Sequence, residues 1–78
     1  MEKEIEFLQY VVENLVANPD DIAIERKEDE LVLLTLRVNK DDMGIIIGKS
    51  GNTINALRSL LRILGMKIDK RINLKVED

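Results

Sequence analysis

Cysteine and histidine are both absent from this sequence. Without cysteine no disulfide can staple the fold and no thiolate can hold a metal. Without histidine the commonest acid–base group near neutral pH is gone, and so is the commonest metal ligand. Catalysis would fall to carboxylates, and these cluster in the N-terminal half. The chain therefore does not read as an enzyme, and no metal or cofactor is expected. Aromatic residues are nearly absent too: only Phe7 and Tyr10, both in the first helical stretch. That excludes base stacking on an aromatic platform of the RRM or cold-shock kind. No apolar run approaches the roughly 20 residues of a membrane span. The acidic opening Met1-Glu2-Lys3-Glu4 does not read as a signal peptide. Lack of cysteine fits a cytoplasmic location.

What remains is a short chain in which 45% of 78 residues are apolar. That supports one domain, residues 1–78, with a small core and no deep enzyme cleft. The net charge of −3 is unevenly spread. Residues 1–42 hold 12 acids and 5 bases, whereas residues 43–78 hold 3 acids and 7 bases. From Met43 to Ile68 there is no acid, only Lys49, Arg58, Arg62 and Lys67. A local positive field follows in the second half.

Hydrophobic periodicity gives the elements. Glu2 to Ala17 reads as a helix with Ile5, Leu8, Val12, Leu15 and Val16 on one stripe, stopped by Asn18-Pro19. Glutamates 2, 4 and 6 suit its positive end. Asp21 to Lys27 and Leu31 to Val38 alternate as two strands around the charged turn Lys27-Glu28-Asp29-Glu30. That turn lacks the ligand spacing of a calcium loop. A second strand face bearing Leu31 and Leu33 is apolar for open solvent, so a partner or a groove is expected there. Asn39 and Asp42 form a capping-box pattern before a short helix, about Lys40 to Ile47, with Met43, Ile46 and Ile47 near one side. A longer helix runs from about Asn52 to Leu64. Its core stripe is Ile54, Leu57, Leu60, Leu61 and Leu64, and Gly65 is its stop. Ala56, Leu60 and Ile63 form a second apolar edge, a candidate dimer face. Arg71 to Val76 is a third strand. The fold class is α+β, α-β-β-α-α-β, with three helices packed on one face of a three-stranded sheet.

Between the last two helices lies Gly48-Lys49-Ser50-Gly51. Paired glycines let the backbone turn sharply and come close to a ligand. A helix starting there offers unpaired N–H groups to an anion, most often a phosphate. A nucleotide P-loop needs four residues between its first glycine and Gly-Lys-Ser; here Gly44 is followed by three isoleucines, one too few. A plain helix–turn–helix corner is a second reading. Its DNA-reading form would use Asn52 and Asn55 at the helix start, but the first helix is short and the sheet is foreign to that class. The third reading is a GxxG loop clamping single-stranded RNA, as in the KH module.

Ile46-Ile47-Gly48-Lys49-Ser50-Gly51-Asn52-Thr53-Ile54, preceded by Asp41-Asp42-Met43-Gly44, resembles the small bacterial single-KH RNA-binding proteins of the KhpA (YlqC-like) type. The resemblance covers nearly the whole chain and implies a type II KH domain. It implies a cytoplasmic RNA-binding protein or RNA chaperone that forms a homodimer or pairs with a larger KhpB (Jag-like) partner. It also implies a link to cell shape and cell-wall growth. Relatives often carry a base just after Gly44 and Gly51; here Ile45 and Asn52 stand there. On this reading the backbone amides around Gly48, Lys49, Ser50 and Gly51 hold phosphates, and Lys49 adds charge. Ile47 and Ile54 floor a groove between the helix pair and the sheet. Asn52 and Asn55 are polar contacts, and Arg58 and Arg62 extend the positive track. The alternative class is an assembly module that dimerises through Ala56, Leu60 and Ile63 and binds little RNA.

Overall fold

A computed structural model describes residues 3–78. Helix α1 spans Lys3–Glu13, strand β1 Ala23–Glu28 and strand β2 Val32–Arg37. A 3-10 turn over Lys40–Asp42 leads into α2, Met43–Ile47. A tight turn, Lys49–Gly51, joins it to α3, Asn52–Lys67, and β3 is Ile72–Glu77. The expected order of elements therefore holds. Glu2 lies outside the described residues.

Strand β2 is central, antiparallel to β1 and parallel to β3. Val32, Leu34 and Leu36 point to one face and are buried there with Ile72 and Leu74. Leu8 and Val12 of α1, Ile46 of α2, and Ile54, Leu57 and Leu61 of α3 close over them. Each amphipathic helix thereby hides its stripe against the sheet, which is the driving force of the fold. Leu31 and Leu33 are half-buried rather than open, and their face carries Glu25, Lys27, Thr35 and Lys75 beside Leu33.

Four local expectations are corrected. Helix α1 stops at Glu13, short of Ala17. The side chain of Asn14 donates to the Tyr10 carbonyl at 2.6 Å, and the Asn14 and Leu15 amides tighten onto Val11 and Val12 carbonyls. Such side-chain bonding to the backbone competes with the helical ladder. Glu4 and Glu6 lie in the first turn of α1, as expected, but Glu4 also works inside the protein. It is buried, and accepts from Arg26 Nε of β1 at 2.7 Å. The capping box is half formed. Asn39 accepts from the Asp41 amide at 2.8 Å, but Asp42 turns inward. Its carboxylate accepts from the Ala17 and Asn18 amides, each at 3.0 Å, and from the Asn18 side chain at 3.2 Å. The Ala17 bond, then those from Asn18, hold its pKa below the usual aspartate value despite burial.

Gly65 is not the end of α3, which continues to Lys67. A Cβ on Gly65 would collide with the Lys70 carbonyl oxygen and crowd Ile72. The glycine is there so that the chain can fold back closely into β3. The buried stripe of α3 is Ile54, Leu57, Leu61 and Gly65, while Leu60 belongs to the outward edge.

Candidate nucleic-acid interface

Helix α2 ends where Gly48 takes φ 76°, ψ 175°. Lys49 starts a 3-10 turn, Ser50 follows at φ 56°, ψ 29°, and Gly51 at φ 77°, ψ 12°. Three of four consecutive residues thus have positive φ, which L side chains adopt at a cost. A Cβ on Gly48 would also strike Thr53, so that position needs glycine twice over. Thr53 was not marked out by the sequence; nothing in its spacing shows that it backs the turn.

The hydrogen bonds of this turn narrow the expected clamp. The Gly48 amide donates to the Gly44 carbonyl at 2.9 Å, and the Gly51 amide to the Gly48 carbonyl at 3.2 Å. The Asn52 amide donates to the Lys49 carbonyl. The expectation of four outward amides is therefore corrected for Gly48 and Gly51, whose N–H groups close the turn itself. The Lys49 and Ser50 amides stand ahead of its first bond, at the exposed tip. Lys49 and Arg62 make no ion pair with another described residue, and both are exposed. Of the two acids before α2, Asp42 points its charge inward while Asp41 is exposed.

The other marked residues divide. Asn52 and Asn55 are exposed beside the turn. Ile47 is 39% exposed next to Gly48, whereas Ile54 is core. Ile46, not Ile47, is the isoleucine of α2 that enters the core. Arg58 is committed within the protein. Its Nε and Nη2 donate to the Leu74 carbonyl, both at 3.3 Å, and Nη1 to Asn55 Oδ1 at 3.4 Å. In the β2–β3 ladder the odd-numbered residues of β3 bond to β2, as the Arg71 and Glu77 carbonyls do. The Leu74 carbonyl therefore faces the open edge. Arg58 bridges α3 to that edge, across the gap where a groove was expected. Concavities of about 500, 190 and 320 Å³ lie away from the turn. The first is lined by Glu28 to Val32, Met66 and Asp69 to Arg71, at the far end of α3.

Two helices meeting at a GxxG turn beside a three-stranded mixed sheet, in this element order, define a type II KH domain. The comparisons agree at the level of sequence. The model of the KhpA/KhpB KH domain matches residues 5–76, and the chain belongs to that family. It is 38% identical over 72 residues to RNA-binding protein KhpA of Chlamydia pneumoniae, covering 91% of this chain and 92% of that one. It is 39% identical over 72 residues to KhpA of Listeria monocytogenes, covering 91% and 95%. For KhpA of Bacillus subtilis the figures are 35% over 74 residues, 94% and 91%. A crystal structure of Aquifex aeolicus Era bound to GDP.AlF4- shares the fold, with a TM-score of 0.61 and 20% identity. The match covers 94% of this chain and 29% of that one. Membership of a KH family places the chain among binding proteins rather than enzymes. Among the described residues no helix is long and apolar enough to cross a membrane.

Proposed function

We propose that the chain is a single-stranded RNA-binding protein whose contact point is the tip of the glycine turn. The observation that carries this reading is the combination at Lys49-Ser50. Two backbone amides precede the first hydrogen bond of the turn, and an unpaired lysine stands in a segment free of acids. Amides at such a tip favour a phosphate, and the relatives named above are called RNA-binding proteins. The Lys49 and Ser50 amides donate to phosphate oxygens of the sugar–phosphate backbone, Lys49 and Arg62 supply charge, and Ile47 meets the adjoining sugar or base. Asn52 and Asn55 lie within reach of the same strand. With two outward amides rather than four, and no aromatic platform, binding is weak and tolerant of sequence.

The reading takes residues 1–78 as one KH domain in the cytoplasm. Family membership supports a KhpB (Jag-like) partner, RNA chaperoning and a link to cell shape and cell-wall growth as further parts of the proposal. Replacing Lys49 and Ser50 by aspartates tests the core claim. The double variant keeps its fold and loses roughly a hundredfold in affinity for a short single-stranded RNA, because the Lys49 charge is lost and two carboxylates stand beside the phosphates that the amides would hold, at about tenfold for each position. The parent's affinity falls with salt. Equal binding by both proteins in fluorescence anisotropy would defeat the reading.

An assembly role through Ala56, Leu60 and Ile63 is the second reading. Leu60 and Ile63 are 47% and 56% exposed, and with Phe7, Leu64 and Lys67 they line the 190 Å³ concavity between α1 and α3. The oligomeric state in solution decides it, and it is compatible with RNA binding.

A further inference from the structure

Three of the four glycines are explained inside the molecule. Gly48 has positive φ and no room for a Cβ, Gly51 has positive φ, and Gly65 lies against the Lys70 carbonyl. Gly44 has none of these reasons. It is helical, exposed, and a Cβ built on it meets nothing within 4 Å. Glycine within a helix is nevertheless weaker than alanine, since it leaves more conformational freedom to lose. In a helix of only five residues that weakness is hard to spare.

We infer that Gly44 is kept bare for something outside the protein: it is a second approach point for the nucleic-acid strand. This rests on the RNA reading of the turn. Gly44 lies one helical turn before Gly48, joined to it by the 2.9 Å bond from the Gly48 amide. One turn of helix advances about 5.4 Å, so the bare Cα extends the surface that begins at the turn. Ile45 and Ile47, both exposed, flank it with apolar surface suited to a sugar face. The Asp42 carboxylate is buried on Ala17 and Asn18 and is turned away from a phosphate there, which leaves the exposed Asp41, three residues before Gly44, as the nearest outward acid. A strand held at Lys49-Ser50 can therefore lie flush along α2, and a methyl group at Gly44 would lift it off.

The test is Gly44→Ala, because the two effects have opposite sign. Alanine fits the empty space and strengthens the helix, so Tm rises by about 4–8 °C. Affinity for a short single-stranded RNA falls roughly tenfold, the usual penalty for one misplaced methyl in a close contact. Asp69→Gly, at the far end of α3, is the control for stability alone. Raised Tm with parental affinity would overturn the inference while leaving the RNA reading intact, provided the Lys49/Ser50 double aspartate still abolishes binding. A lowered Tm would reveal an intramolecular need for Gly44 and overturn it as well. A parent that binds no RNA would remove both claims together.

Discussion

Helix α3 has a left-handed turn at each end, and the two behave oppositely. At its head, Ser50 and Gly51 have φ 56° and 77°; at its tail, Asp69 has φ 58°. The tail satisfies itself. The Ile68 and Lys70 amides both donate to the Gly65 carbonyl, at 3.1 and 2.8 Å, and the Asp69 amide to Met66 at 3.4 Å. This is the Schellman pattern, with an aspartate where glycine is usual. Its Lys70 is paired too, Nζ meeting Glu28 Oε2 at 2.5 Å. The head instead leaves two amides and a lysine facing out. Backbone conformation alone therefore does not separate the turn proposed to bind from the one that does not. What matters is whether the hydrogen bonds and charges of that turn end inside the protein or outside it.

The comparison can be broken most forcefully at Gly65. Gly65→Val drives a Cβ into the Lys70 carbonyl, with Ile72 close behind. A collision with backbone cannot be relieved by a rotamer change, so the expected loss is about 3 kcal/mol or more. Urea unfolding measures it. RNA affinity of the remaining folded protein should be unchanged, because the tail contributes nothing to the proposed interface. Parental stability would mean that β3 can move away from α3, and the tail turn would then not be a fixed part of the fold.

How much of this was legible beforehand follows the same division. Element order and the glycine turn could be read because they depend on local pattern: 3.6 and 2 periodicity, and glycine where φ is positive. Gly65 misled because it has the same letter as a helix stop. Its true reason is the approach of Lys70, which only the folded chain reveals. Asp42 misled likewise. Its spacing from Asn39 suits a cap, yet its partners are 24 and 25 residues away. Arg58 looked like a free cation on a wet helix face, and its tie to Leu74 depends on where the sheet edge falls. Leu60 fitted two stripes at once, and only packing of α1 against α3 decides between them.

Asp42 offers a smaller perturbation that bears on the head turn from below. Its carboxylate ties the base of α2 to the α1–β1 connection, and those amide bonds lower its pKa. A lowered folded-state pKa means stability that is fully present above the unfolded value of about 3.9 and is lost as pH falls through the folded value. Asp42→Asn should therefore be less stable than the parent at neutral pH, because its NH2 group faces N–H donors. The gap should narrow as pH drops below about 4. Glu28, whose pKa is lowered by Lys70 and then Arg26, contributes to the parent's acid slope in the same direction. Thermal melts of parent and variant between pH 7 and 3 would show it. A gap constant with pH would mean that the carboxylate's charge contributes nothing.

The mildest change sharpens the contrast most directly, because it makes one substitution at both ends of α3. Asp69→Gly relieves a positive φ and removes a negative charge from a helix C-terminus, where it is disfavoured. Part of that gain is offset by the greater freedom of glycine in the unfolded chain. The net is a gain of about 0.5 kcal/mol, or roughly 2–4 °C in Tm. Ser50→Gly relieves a similar φ of 56° at the head. It should stabilise by a similar or smaller amount, since no unfavourable charge is removed with it. The two variants should part in RNA affinity. Asp69→Gly leaves it unchanged, whereas Ser50→Gly loosens the tip that holds the outward amides and weakens it. If both leave affinity untouched, the order of the head turn is irrelevant to binding, and the unpaired charge of Lys49 alone would have to account for it.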